Sequence, residues 1–317
     1  MRSPFDSLWN LQGVPLRTVA ARTLKALRED RIFNHAAELG FYFLFAVFPI
    51  LFCASSVLGL VAKSGHQFYD GVLNYLALVV PAPALRTVIH TFNQTAAAAS
   101  SGKVTLGSLI TVWAASAGIS AIQSSLNAIY KIKDPRSYIV SQLHAVWLTF
   151  VLVFVISVGL ASLFAGNVVA GLADNYFQTP LVGSTAAALT RVLAWAVATA
   201  CLSLSFALLY YWAPGWQERH WHWLTPGSVA GIAGWLIASL GLRFYLLLFN
   251  RFSIVYGSLG AVIILLTWFY LCGFMLLLGA VINKEIGLAA AEKRLAADSS
   301  PGGPDLRGPE DPRQQAA

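Results

Sequence analysis

The sequence predicts an all-α polytopic membrane protein with six transmembrane helices, and three observations predict it. Six long apolar stretches fill most of the chain between Ala36 and Asn283. Each is near or above the roughly 20 residues that a helix needs to cross a ~30 Å hydrocarbon core. The 317 residues are 57% hydrophobic and 11% charged, with a mean hydropathy of +0.65, which leaves too little charged surface for a soluble domain of this size. The runs are also continuous, without the ~10-residue alternation of barrel strands. Their backbone groups are therefore satisfied within helices.

The elements follow in order. Residues 1–35 are polar and basic, with Leu8, Leu11, Val14 and Leu16 spaced amphipathically, as in a helix lying on the inner leaflet. The first apolar run, Leu39–Val61, contains Pro49. It is too long for the core of a signal peptide and lacks a small-residue cleavage pattern, so it reads as a retained span kinked at the proline. Gly65–Gly102 is the longest loop. Phe68, Val72, Tyr75, Leu76 and Val79, and then Leu85, Val88, Ile89 and Phe92, recur at helical spacing on either side of Pro81 and Pro83. Two short amphipathic helices on the outer face are expected there.

The second span, Val104–Tyr130, is the most polar of the six. Ser116, Ser120 and Ser124 recur every four residues, and Gln123, Ser125 and Asn127 join them. Such polarity faces protein or a cavity rather than lipid. Leu143–Val169 and Leu189–Trp212 are the third and fourth spans. The loop after them holds Trp216, Trp221 and Trp223, indoles that favour the headgroup layer. Leu224–Phe249 is the fifth span, with Gly227, Gly231, Gly234, Ala238 and Gly241 close to one face; small residues let helix backbones approach in lipid. Ile254–Ile282 is the sixth, and it includes Gly257 and Gly279. The chain thus divides into a cytoplasmic segment 1–35, a membrane domain 36–283 and a tail 284–317. That tail is Pro/Gly-rich and disordered from about residue 297.

Charge sets the orientation. Fifteen Lys and Arg residues lie on the side of the termini and of the second and fourth loops. Six (Lys63, Arg86, Lys103, Arg191, Arg243 and Arg251) lie on the other. Retention of basic residues in the cytoplasm places both termini inside. The net charge of +7 is mostly that signal and gives no reason to expect nucleic acid as a partner. Cys53, Cys201 and Cys272 all lie within apolar stretches, where cysteine packs as a small hydrophobe. No metal site, disulfide framework or cofactor motif is spelled out.

Several segments together resemble the BrkB/YihY family of bacterial inner-membrane proteins. His35-Ala36-Ala37-Glu38-Leu39-Gly40-Phe41-Tyr42 followed by Phe48-Pro49-Ile50-Leu51 is similar to its first span. Ser125-Leu126-Asn127-Ala128-Ile129-Tyr130 is similar to the exit of its second span. Tyr210-Tyr211-Trp212-Ala213-Pro214 resembles its tyrosine-to-proline loop, Thr225-Pro226-Gly227 the entry to its fifth span, and Val255-Tyr256-Gly257-Ser258-Leu259-Gly260 and Leu277-Leu278-Gly279-Ala280 the ends of its last. The resemblance covers about residues 30–285. It implies a six-helix inner-membrane fold tied to virulence or serum resistance and to envelope lipids, with an old ribonuclease label attached. Two positions depart from the family pattern: Ala46 stands where a serine is usual, and Val281 where an acidic residue is usual, with Glu285 one turn further on.

The chemistry then narrows. Glu218, His220 and His222 do not make the convergent His/Asp cluster that metal-dependent RNA cleavage requires. No nucleophile–base pair is evident, and the chain is not expected to be an enzyme. The expected role is transport or handling of an amphipathic, lipidic envelope substrate; a non-transporting scaffold or envelope-integrity factor is the alternative. Glu38, Ser116, Ser120, Gln123, Ser124, Asn127, Arg191 and Arg243 are the candidate cavity or substrate residues. Pro49, Gly227, Gly231, Gly234, Gly257 and Gly279 are the candidate kink and packing residues. The expected partners are membrane lipids, with anionic headgroups drawn to arginines of the outer rim; self-association is left open.

Overall fold

The protein is described from a computed structural model, which places residues 15–61, 101–176, 180–215, 225–248 and 259–298. Among these residues it is all helical, with seven helices: α1 Leu16–Glu29, α2 Ile32–Val61, α3 Ser101–Tyr130, α4 Tyr138–Tyr176, α5 Pro180–Trp212, α6 Pro226–Leu248 and α7 Leu259–Asp298. Five of them (α3 to α7) contain stretches long and apolar enough to cross a membrane. The sixth expected span lies in α2. Its backbone is helical to Val61, but the far half of its apolar run lies outside the side chains described. The two short helices expected within 65–102, the tryptophan-rich loop and Gly257 also lie outside the described residues.

The helices run longer than the apolar windows that announced them. Hydropathy marks the part that fits lipid, whereas a helix continues as long as its residues favour it. The 40 residues of α7 correspond to about 60 Å, twice the hydrocarbon thickness. Its last third, rich in Ala, Leu, Glu and Lys, has the propensity to continue. The tail expected from residue 284 is thus an unbroken continuation of the sixth span as far as Asp298.

This extension has a partner. Helix α1 buries Val19, Thr23, Ala26 and Leu27, four residues of one helical face, as it packs against α7 and α2. Arg22 pairs with Glu292 at 2.8 Å and Asp30 with Lys284 at 2.5 Å. Eight residues separate the contacts on each helix, so α1 runs antiparallel along α7. The apolar residues expected to lie on lipid, Leu8, Leu11, Val14 and Leu16, fall outside the side chains described. Between α1 and α2 the chain turns at Arg31, whose φ is 50°.

Helix ends explain themselves locally. The amide of Ile132 donates to Asn127 O (2.9 Å) and that of Lys131 to Ala128 O (3.2 Å). This is the paired closure that ends a helix on a left-handed residue, here Lys131 at φ 56°. Helix α6 starts with Pro226 in its first turn, where the missing N–H costs nothing. Thr225 caps it: its Oγ1 accepts from Ser228 N at 3.0 Å, and Ser228 Oγ accepts from Thr225 N at 3.4 Å. The two hydroxyls thus satisfy two end donors reciprocally.

The bundle is ordered α2–α3–α4–α5–α6–α7 with α7 returning to α2, and α7 also touches α3. Most of the buried apolar core lies in the half nearest the α3–α4 turn, hereafter the base; Leu39, Leu126, Leu148 and Leu277 are fully buried there. A small second cluster around Ile264 and Leu265 joins α2, α6 and α7 further out. Close approaches set the α6–α7 contact. A Cβ on Gly227 would collide with Gly279 O and stand 2.5 Å from Asn283 Oδ1, and one on Gly279 would collide with Tyr210 Oη and Gly227 O. Gly231 and Gly234 face Phe206 and Met275 along the same side. Pro49 lies inside α2, and its carbonyl accepts from Thr111 Oγ1 of α3 at 2.6 Å, a proton that the threonine shares with Gly107 O.

A polar network at the base of the bundle

Ser116, Gln123 and Asn127 lie seven and four residues apart on α3, a spacing that returns to one helical face. Ser116 and Gln123 are 0% and 2% exposed, so the face is closed by neighbours. Helix α4 closes it with Ser141, Gln142 and His144 from its first two turns. Gln142 Nε2 donates to Ser116 Oγ (3.2 Å), Ser141 Oγ to Gln123 Oε1 (3.4 Å), and Gln123 Nε2 reaches His144 Nδ1 at 2.9 Å.

The α3–α4 turn adds the charged part. Pro135 biases Asp134 towards extended backbone, and the turn brings the carboxylate against Arg136. The guanidinium grips it with both arms: Nε to Oδ1 at 2.8 Å and Nη2 to Oδ2 at 2.7 Å, with the Arg136 amide adding 3.0 Å to Oδ1. Such forked, charge-assisted pairs are among the strong hydrogen bonds of proteins. The side chains of Arg136 and Asp134 are 13% and 20% exposed. Arg136 also donates to His144 Nδ1 (3.1 Å) and to Ala213 O at the end of α5 (3.2 Å). Asn127 completes the closure: its Nδ2 donates to Asp134 Oδ2 at 3.2 Å, and its Oδ1 accepts from the Gly215 amide at 2.8 Å. The end of α3 and the turn that follows it are thus latched to the distant end of α5.

The latch fixes protonation states. A guanidinium only donates, so Nδ1 of His144 accepts the hydrogen bond from Arg136 and the ring carries its own hydrogen on Nε2. Asp134 is held below the usual carboxylate range, first by the Arg136 side-chain hydrogen bond; partial burial opposes this, and the Arg136 backbone N–H, its charge and Asn127 add to the lowering. A carboxylate lowered on folding stabilises the fold above its unfolded pKa of about 3.9, and that stabilisation is lost as pH falls through the lower folded value. Thermal unfolding in detergent is therefore expected to show a falling Tm below about pH 4, and Asp134→Asn should flatten that fall. Glu292, lowered by Arg22, acts with the same sign but is exposed and screened.

A second set of bonds ties α3, α6 and α7. Asn283 Oδ1 accepts from the Gly227 amide at 2.9 Å, its Nδ2 donates to Thr225 Oγ1 at 2.9 Å, and it is hydrogen-bonded to Tyr130. Tyr210 Oη donates to Leu276 O at 2.7 Å. Tyr210→Phe should therefore lower stability by about 1 kcal/mol, read as a modest fall in Tm. Beside α1, Lys284 stands between Asp30 and Glu285, all three side chains about nine-tenths buried. Val281 is fully buried in the core, and Glu285 points to this ion cluster.

Of the residues singled out by sequence, Ser116, Gln123 and Asn127 come together. Ser120 is half-buried beside them, and Ser124 is exposed. Glu38 is 45% exposed and lies 3.6 Å from His35 Nδ1, which reaches Ser125 Oγ at 3.4 Å. Arg191 and Arg243 are exposed and sit roughly 32 and 26 Å from the base along α5 and α6 by helical rise. Sequence reasoning missed Asp134, Arg136, His144 and Asn283. The available signal was the acid Asp134 within an otherwise basic turn; Arg136 was counted only among retention charges.

The family model described as Virulence factor BrkB matches residues 23–302. The chain belongs to that family. This BrkB-family chain is 32% identical over 252 residues to YfkH of Bacillus subtilis (strain 168), a protein named as ribonuclease-like, covering 79% of this chain and 88% of that one. It is 27% identical over 267 residues to a UPF0761 membrane protein of Vibrio parahaemolyticus, covering 83% and 80%. A UPF0761 membrane protein of Paraburkholderia xenovorans (strain LB400) is 25% identical over 280 residues; the match takes in 86% of this chain but only 60% of the relative. No solved structure matches. With several apolar spanning helices and membrane-protein relatives, the BrkB-family chain is a multi-pass integral membrane protein.

Proposed function

We propose that this BrkB-family protein sits in the bacterial inner membrane with its base and both termini cytoplasmic, and that it moves or handles an amphipathic, lipidic envelope substrate. The observation that carries this reading is the polar strip between α3 and α4. Ser116 to Asn127 spans about 17 Å of helix, from the base well into the apolar stretch Leu109–Tyr130. Polar groups at that depth are costly. They are placed on one line, and they end in a latch built from a turn and a helix end rather than from packed core. The excess of Lys and Arg at the base supports the orientation.

No enzymatic role is proposed. Asp134 and His144 Nδ1 are engaged by Arg136, which leaves them poorly placed as acid or base, and the name of YfkH is carried no further. A second reading has one observation in its favour: Ser116, Gln123, Asn127, Asp134 and His144 all find hydrogen-bond partners within the bundle, as expected of helix glue in a scaffold. Reconstitution in liposomes with fluorescent phospholipid and lipid-linked substrates separates the two. Protein-dependent transbilayer movement that Asn127→Ala alters supports transport. Its absence for every substrate class, with folded protein, supports the scaffold.

A further inference from the structure

The described residues include two non-glycine residues with positive φ, and both are basic: Arg31 and Lys131. Each occupies a left-handed position that glycine would hold without steric cost. Arg31 precedes α2 and Lys131 follows α3, and both side chains are exposed. The His35–Ser125 bond places these two helix ends side by side. Counted from it, Arg31 lies about 6 Å and Lys131 about 9 Å further towards the base.

The same side of the helix pair carries a graded surface. At 100° per residue, Glu38, Phe41 and Phe45 fall within about 60° on α2, with Arg31 just before its first residue, and Trp113 and Ser124 within about 20° on α3, with Lys131 just after its last. Phe45 meets Trp113 edge-on at 6.4 Å and stacks on Phe41 at 6.4 Å, which puts the two arcs on one side. Phe41, Phe45 and Trp113 are 61%, 47% and 61% exposed. From the base outward, the face therefore runs from two cations through Glu38 and Ser124 to three aromatic rings. Its length is about 21 Å along α2 and 27 Å along α3 by helical rise, close to one leaflet with its headgroups.

We infer that this α2–α3 face holds an anionic glycerophospholipid of the leaflet at the base. Arg31 and Lys131 take the phosphate, as a fork and a point charge respectively. Glu38, already beside His35, and Ser124 face the headgroup hydroxyls, and the acyl chains lie on the rings. Two cations against one acid favour an anionic over a zwitterionic headgroup. The left-handed cations fit the same purpose, because local backbone strain is retained where the residue held there has a task. This deepens the lipid-handling reading by naming a lipid class and a face. It is tested by binding alone, so a protein that binds but moves no lipid would sink that reading and leave this one standing.

The experiment titrates the full-length protein with dioleoyl phosphatidylglycerol or phosphatidylcholine by native mass spectrometry in detergent, with Tm measured alongside. Phosphatidylglycerol is expected to bind more tightly. Arg31→Gly with Lys131→Gly is expected to weaken it by about tenfold or more while Tm holds or rises, since glycine relieves the strained backbone. Phe41→Ala with Trp113→Ala should weaken the lipid but not water-soluble glycerol phosphate. Equal binding of the two lipids would overturn the proposal. So would undiminished binding by the glycine variant, or a loss of binding that appears only with a fall in Tm. Full competition by glycerol phosphate at lipid concentrations would show a free-phosphate site and overturn the assignment to lipid.

Discussion

Adding one methyl group at Gly279 is expected to destabilise the protein by about 3 kcal/mol, enough to lower its yield as well as its Tm. The new Cβ would fall on Tyr210 Oη and on the backbone of Gly227. Neither can yield cheaply: Tyr210 is buried and bonded to Leu276 O, and Gly227 lies in the first turn of α6, tied by its amide to Asn283. Gly227→Ala should behave alike, because its Cβ meets Gly279 O and the Asn283 amide. Gly241→Ala is the control. A Cβ there meets nothing within 4 Å, so the variant should match the wild type or gain slightly from helix propensity. Thermal unfolding of the three variants in one detergent checks the set. Equal behaviour of Gly279→Ala and Gly241→Ala would mean that α6 and α7 do not pack as described.

Arg136→Ala carries the second large effect. The substitution leaves the Asp134 carboxylate four-fifths buried without its counter-charge and removes donors from His144 and Ala213 O. Breaking one partner of a largely buried pair costs about 3 kcal/mol or more. Loss of the Arg136 fork should also loosen the base locally. Amides at the α3–α4 turn and around Gly215 are expected to exchange hydrogen faster than those of the α6–α7 contact. Arg136→Ala with Asp134→Ala should recover part of the Tm, since the stranded charge is gone, but not the slow exchange, since the latch is gone too.

The spanning helices were legible because lipid imposes a length and a polarity on any segment that crosses it. The end of α3 at Tyr130 and that of α5 at Trp212 matched expectation to the residue. The far ends of α4 and α7 did not, since hydropathy has nothing to say about a helix once it leaves the apolar layer. Ser116, Gln123 and Asn127 belong to the five polar α3 residues expected to face a cavity, and these three share one bonded strip with α4 and the turn. Ser124 follows Ser116 and Ser120 at steps of four but turns outward, because 3.6 residues per turn moves a strict four-residue repeat round the helix. Asp134, Arg136 and His144 were not readable as partners: their meeting with Gly215, roughly 80 residues away, is made by folding and by no local pattern.

Cysteine accessibility along the α3–α4 strip tests the central claim, the proposal that the strip serves a lipidic substrate, by asking whether the strip, closed at the base in the form described, opens when that substrate is present. Ser116→Cys, in a chain whose native cysteines are replaced, would be reconstituted in liposomes and labelled with a membrane-impermeant maleimide from the base side, with and without a transported lipid. The account predicts slow labelling at rest, as befits a fully buried position, and faster labelling when the lipid is supplied. Fast labelling at rest, or a slow rate that the lipid leaves unchanged while Arg136→Ala raises it, would contradict a gated route and leave a static seal between helices.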